Sequence, residues 1–181
     1  MSELITFKDT VVIRARPDVL FRQALDPKRR WKWDPNVRNM SYTGEERIVQ
    51  NAALHVKLPN KMLGLSFPAK YLQVQAPTRG GYESTRPFGP VEKFSQAWGF
   101  KPIPGGTEVT LTTNARVRFK WAAKPVERLL RNASAQTLIE LQRSVDAQGA
   151  QLLEDTAKRY QEQQKEAQKA ARAAKGGRRK R

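Results

Sequence analysis

Four cations and two indoles stand in a single run, Lys28-Arg29-Arg30-Trp31-Lys32-Trp33, and these are the residue types that contact phosphates and stack on bases. A second collection, Arg116, Arg118, Lys120, Lys124, Arg128 and Arg131, places six cations within sixteen residues against one acid, Glu127. A third lies at the C-terminus, where Lys158 to Arg181 hold ten basic and two acidic residues and end in Arg178, Arg179, Lys180 and Arg181. Over all 181 residues, 34 Lys and Arg against 17 Asp and Glu give a formal charge of +17. A summed field of that size favours an anionic partner, whether nucleic acid, an anionic membrane surface or an acidic protein. No base-reading motif accompanies it, so sequence-specific recognition is not implied. The plain alternative is a solvated basic face, with the tryptophans turned inward.

Catalytic chemistry has less to work with. His55 is the single histidine and there is no cysteine, which excludes a thiol nucleophile, a disulfide framework and a Cys/His zinc site. No Ser, His and Asp order stands out as a triad, and the Gly-Gly pairs lie where hairpin turns explain them rather than in a phosphate-binding loop. Asp26 and Asp34 flank the cationic run, each directly before a proline, where turn formation and ion pairing account for them. No metal and no cofactor is expected.

The elements that must position these groups follow from periodicity. Ile5, Phe7, Val11, Ile13 and Ala15 share one parity, as a half-buried strand requires. Arg16-Pro17-Asp18 then suits a first helical turn, and a short helix ends at Asp26-Pro27 with one or two further turns over Lys28 to Trp33. From Val37 the chain reads as strands separated by turn residues. The clearest strand is Thr107 to Phe119, where Thr107, Val109, Leu111, Thr113, Ala115, Val117 and Phe119 alternate with polar residues. Pro125 marks a first helical turn, and from Val126 to about Lys165 there is no proline and one glycine. Leu130, Ala133, Thr137, Leu141, Val145 and Leu152, widened by Leu138, give that helix an apolar stripe. Beyond it the residues become polar and charged, so a solvated helix and then a disordered basic end are expected. No apolar run approaches the roughly 20 residues that span a bilayer, which makes a cytoplasmic location the simplest expectation.

A strand, two small helices, a run of antiparallel strands and a long C-terminal helix together resemble the helix-grip fold of the START-like superfamily, also called SRPBCC. Particular words carry the resemblance to its polyketide cyclase/dehydrase and lipid-transport branch: Arg16-Pro17-Asp18-Val19-Leu20-Phe21, then Leu25-Asp26-Pro27 and Trp33-Asp34-Pro35. Pro104-Gly105-Gly106-Thr107 before the long strand and Leu129-Leu130-Arg131 in the last helix are similar too. The resemblance covers about residues 4 to 153. It implies an α+β helix-grip domain over residues 1–157, a curved sheet of six to seven strands gripped by the long helix, with 158–181 as a basic extension. It further implies a cavity for a small apolar or amphipathic molecule. The side chains expected to line it are Trp33, Phe94, Trp98, Val109, Leu111, Thr113 and Ala115, with Leu138, Leu141 and Val145 from the helix; a filled core is their simpler role. The function expected is non-enzymatic binding of such a ligand, with Lys28, Arg29, Arg30, Lys32, the second cation cluster and the tail attaching to an anionic partner. The alternatives are a nucleic-acid-binding protein and a cyclase/aromatase-like enzyme.

Overall fold

The computed structural model describes residues 2–177, and the side chains of all of these except 153, 156 and 170–177. Strand β1 (Glu3–Ile13) leads into two helices, α1 (Pro17–Leu25) and α2 (Pro27–Trp33). Six strands follow: β2 (Asn39–Tyr42), β3 (Ala53–Lys57), β4 (Ser66–Tyr71), β5 (Arg79–Ser84), β6 (Val91–Ile103) and β7 (Gly106–Val117). The last element is α3 (Lys120–Gly177). All seven strands pair antiparallel in one sheet, in the order β1-β7-β6-β5-β4-β3-β2. This is the α+β helix-grip architecture.

Alternation in β7 holds as far as Val117, with Thr107, Val109, Leu111, Thr113, Ala115 and Val117 all buried. Phe119 was expected to continue the run, but the strand stops before it and Phe119 is exposed. The β6–β7 hairpin turns on Gly105, whose φ of +85° is open to glycine at no steric cost. A Cβ on Gly81 would sit 2.3 Å from the Gln96 carbonyl oxygen, so the close approach of β5 to β6 there requires glycine.

Proline occupies the first position of both short helices, where its missing N–H is no loss. Asp26 ends α1 and caps α2, its side chain accepting from the Lys28 N–H at 3.0 Å. α3 begins six residues earlier than Val126 and carries Pro125 within its second turn.

The chain forms two compact units, one ending at Arg143 and one beginning at Ser144. In the first, α3 buries Ala122, Ala123, Ser134, Thr137, Leu138 and Leu141, and the Arg131 guanidinium lies 4.7 Å from the centre of the Phe7 ring on β1. The second is the remainder of α3. Leu152 and Tyr160 are exposed there, and Glu154 pairs with Lys158 one turn on. Among the described residues no helix is long and apolar enough to cross a membrane.

Candidate ligand site

A cavity of about 220 Å³ opens within the first unit. Its apolar walls come from Val37 after α2, Leu58, Met62 and Leu65 around the turn between β3 and β4, Phe67 on β4, Val91 and Phe94 on β6, and Val126, Leu129 and Leu130 on α3. The volume falls below the roughly 300 to 1,000 Å³ usual for ligand sites. The aromatic side chains explain why: Phe67 stacks on Phe88 at 4.2 Å, and Phe94 meets both edge-on at 5.9 and 6.2 Å. The space equals about seven waters at roughly 30 Å³ each, enough for a compact molecule or one end of a longer one.

Near the exposed Lys61 and Leu63, a short 3₁₀ turn (Asn60–Met62) brings the β3–β4 connection against α3. Leu63 and Gly64 both have positive φ, 61° and 60°, which reverses the chain there. Lys61 Nζ donates to Gln136 Oε1 of α3 at 2.9 Å.

One part of the lining is polar and buried. Helix α2 is two turns long and ends at Asp34, because Pro35 disfavours helix at the residue before it. Arg30, four residues earlier, therefore meets Asp34 across one turn, Nε to Oδ2 at 2.7 Å, with the two side chains 1% and 0% exposed. The guanidinium is held further by the Ala24 carbonyl at 2.9 Å and Gln96 Oε1 at 3.3 Å, and lies 5.4 and 5.0 Å from the Trp33 and Trp98 ring centres. The second Asp34 oxygen accepts from the Asn36 backbone N–H at 2.9 Å and from the Thr137 hydroxyl at 3.0 Å. Asn36 Nδ2 in turn donates to Thr137 Oγ1 and the Ala133 carbonyl, both at 2.9 Å, tying the loop after α2 to α3. Tyr82 donates to Gln96 Oε1 at 3.0 Å; burial pushes its phenol up to about 12, so it stays a neutral donor. Arg30, Asp34, Asn36, Tyr82, Gln96 and Thr137 all line the cavity.

Of the ten side chains expected at the cavity, Phe94 alone lines it. Trp98, Val109, Leu111, Thr113, Ala115, Leu138 and Leu141 are buried elsewhere in the core, with Trp98 stacked on Phe100 at 6.0 Å. Trp33 is half-buried and donates from Nε1 to the Gln23 carbonyl, while Val145 is half-buried in the second unit. β7 lies between β1 and β6, and its inward residues pack away from the space enclosed by β4, β6 and the start of α3. Gln96 could have been found from sequence: it shares the inward parity of Phe94, Trp98 and Phe100, a polar residue in an apolar row. Arg30 and Asp34 stand at the ion-pairing spacing of i, i+4, but their burial had no local signal.

Arg30 is also the cation the structure removes from the surface, because its charge is neutralised inside by Asp34. Lys28, Arg29 and Lys32 are exposed, Lys28 pairing with Glu46 and Arg29 lying 3.8 Å from Asp26. Arg116, Arg118, Lys120, Lys124, Arg128 and Arg131 are exposed as well, with Arg131 bonded to Glu127. Among them Phe119 and Trp121 stack on one another at 5.9 Å, 47% and 79% exposed. Arg178, Arg179, Lys180 and Arg181 lie outside the described residues. His55 is exposed on β3, and among the described residues no group of acids and histidine is placed to hold a metal.

The family model for polyketide cyclase/dehydrase and lipid transport matches residues 5–146. No curated protein matches the sequence. Among solved structures, the Zhui aromatase/cyclase from Streptomyces sp. R1128 is similar, with a TM-score of 0.71 at 12% identity over 80% of this chain and 94% of its own. A START superfamily protein from Mycobacterium smegmatis gives 0.68 at 14% identity, covering 78% and 97%. A protein from Thermus thermophilus gives 0.67 at 18% identity, covering 79% and 98%. At such identities the likeness is one of fold.

Proposed function

Since the chain belongs to the polyketide cyclase/dehydrase and lipid-transport family, we propose that it binds a compact apolar or amphipathic molecule in the cavity between sheet and α3, without transforming it. The carrying observation is the cavity's make-up: apolar walls with Asn36, Tyr82, Gln96 and Thr137 gathered around Arg30 and Asp34. Such a lining takes up an apolar body by burial and fixes its orientation through a few polar contacts. A cyclase-like reaction is less well supported, because Arg30, Asp34, Thr137, Tyr82 and Gln96 are engaged with one another.

The test is saturable binding of aromatic probes of the naphthalene series, together with native mass spectrometry of the freshly purified protein. Val126→Trp, which fills the cavity from a half-buried position on α3, is expected to weaken probe binding at least tenfold while leaving the fold intact by circular dichroism. Unchanged binding in that variant would place the probe elsewhere and remove the reading's basis.

The Phe119–Trp121 stack favours a second reading, attachment of the same face to an anionic membrane. Exposed indole and phenyl rings beside Arg118, Lys120 and Lys124 match the amphipathic make-up of a membrane interface. Trp121 is one turn before Pro125 and two before Leu129, both cavity-lining, so docking through it would bring this wall of the cavity toward the lipid. Each basic residue near an anionic surface contributes about 1 kcal/mol, so Lys120→Gln, Lys124→Gln and Arg128→Gln together should weaken binding to phosphatidylserine vesicles by roughly 100-fold. Retention on single-stranded DNA or RNA, with no vesicle binding, would transfer the role of this surface to nucleic acid.

A further inference from the structure

The outer face of the sheet carries a groove of about 840 Å³ that shares no lining residue with the cavity. Gly99 lies in it on β6, between its register partners Arg79 of β5 and Thr110 of β7. A glycine inside a strand weakens it and ordinarily marks a bulge, a strained turn of the backbone or a close approach. Gly99 shows none of these within the chain itself. Its φ is not positive, the β6–β7 ladder runs in unbroken register from Lys93 to Ile103, and a Cβ there would meet only the Thr110 Cβ at an ordinary 3.8 Å. The fold therefore accepts a side chain at this position, and what glycine provides is room above the sheet. Cations surround that room: Arg79 beside Gly99, Lys101 as the next outward residue of β6, and Lys8 on β1 beyond Thr110 and Thr112. All three are exposed, and none takes part in an ion pair among the described residues. The one acid of the lining, Glu108, leaves the groove with a formal charge of +2, from three cations and one carboxylate.

We propose that this groove is a second binding site, and that it takes a polyhydroxylated molecule with a phosphate at each end, a sugar or polyol bisphosphate. Three strand spacings, about 14 Å in all, separate the backbones of Arg79 and Lys8, so the two ends of the groove suit separate anionic groups. Guanidinium and ammonium groups pair strongly with phosphate oxygens. Between the ends, the Thr110 and Thr112 hydroxyls and the Glu108 carboxylate offer donors and acceptors to the hydroxyl groups of such a body. A nucleic-acid strand is matched less well, because the aromatic residues of the lining, Trp98 and Phe100, are each 2% exposed and leave no ring on which a base could stack. The proposal stands apart from the cavity and from any ligand held there.

The experiment measures the affinities of the full chain for fructose 1,6-bisphosphate and fructose 6-phosphate by calorimetry, with a single-stranded oligothymidylate as the third probe. The bisphosphate should bind saturably and about tenfold tighter than the monophosphate. Gly99→Val fills the groove without changing any charge, so it leaves the field of the other basic surfaces as it was. It should weaken bisphosphate binding by about tenfold or more, with the circular dichroism spectrum unchanged. Lys8→Gln should remove the bisphosphate's advantage while the monophosphate, held at the Arg79–Lys101 end, keeps its affinity within about twofold. That second variant decides the matter should Gly99→Val fail to fold. No saturable binding by either sugar phosphate, unchanged bisphosphate binding in folded Gly99→Val, or an advantage that survives Lys8→Gln would overturn the proposal. So would an oligothymidylate that binds more tightly than the bisphosphate and loses affinity in the same variants, which would give the groove to a nucleic-acid backbone.

Discussion

Asp34→Ala is expected to lower the unfolding free energy by about 3 to 5 kcal/mol, the range for breaking a buried ion pair from one side. The large effect comes from what is left behind. Arg30, 1% exposed, would keep its charge with the Ala24 carbonyl and Gln96 as remaining hydrogen-bond partners. The Thr137 hydroxyl and the Asn36 N–H would lose their acceptor in the same step. Pairing Asp34→Leu with Arg30→Met removes both charges, and that double variant should recover most of the loss, since apolar replacement of a buried pair is often neutral. Urea unfolding followed by circular dichroism measures both. A loss below about 1 kcal/mol in Asp34→Ala would mean that water reaches the guanidinium and that the polar end of the cavity is open.

The strands and helices were legible because each buries one face and so imposes a period on its own residues. β7 announces itself through Thr107 to Val117, and α3 through Thr137, Leu138 and Leu141. The cavity was not legible in that way. Whether an inward residue lines a space or fills a core depends on its neighbours across the sheet, so Leu111 and Phe94 look alike in sequence although only Phe94 borders the cavity. The polar end draws on α2, the loop after it, β5, β6 and α3, and no local pattern joins residues as far apart as Asn36 and Thr137. Arg30 was the sharpest reversal. Surrounded by Lys28, Arg29 and Lys32 it reads as a surface cation, but a two-turn helix packed under α1 has an inner side, and Arg30 is on it. The start of α3 differed for a related reason. Proline is tolerated in the first turn because the N–H groups there have no intrahelical partner, but Lys120 opens the helix five residues before Pro125 and leaves it in the second turn.

Leu141→Asp should be the most damaging single change in α3, at about 4 to 5 kcal/mol. Leu141 is fully buried, and removing its side chain alone typically costs about 2 to 5 kcal/mol through lost transfer energy and the cavity left behind. A carboxylate in its place adds a buried charge, and Arg30, the buried cation of the core, is already paired with Asp34. Since domains of this size are stable by only about 5 to 15 kcal/mol, part of the population is expected to unfold at room temperature, and Leu141→Ala supplies a milder measurement of the same site. Ile139→Asp is the control. It changes a residue two positions away on the same helix that is 51% exposed, and it should shift stability by about 0.5 kcal/mol or less. The contrast tests the grip of α3 on the sheet directly, because both variants make the same helix equally more polar and differ only in which side carries the charge. Equal losses would mean that the helix is stabilised by its own propensity rather than by packing. A loss at Leu141 below about 1 kcal/mol would show that this stripe does not cover the sheet, and with it the cavity would lose one of its walls.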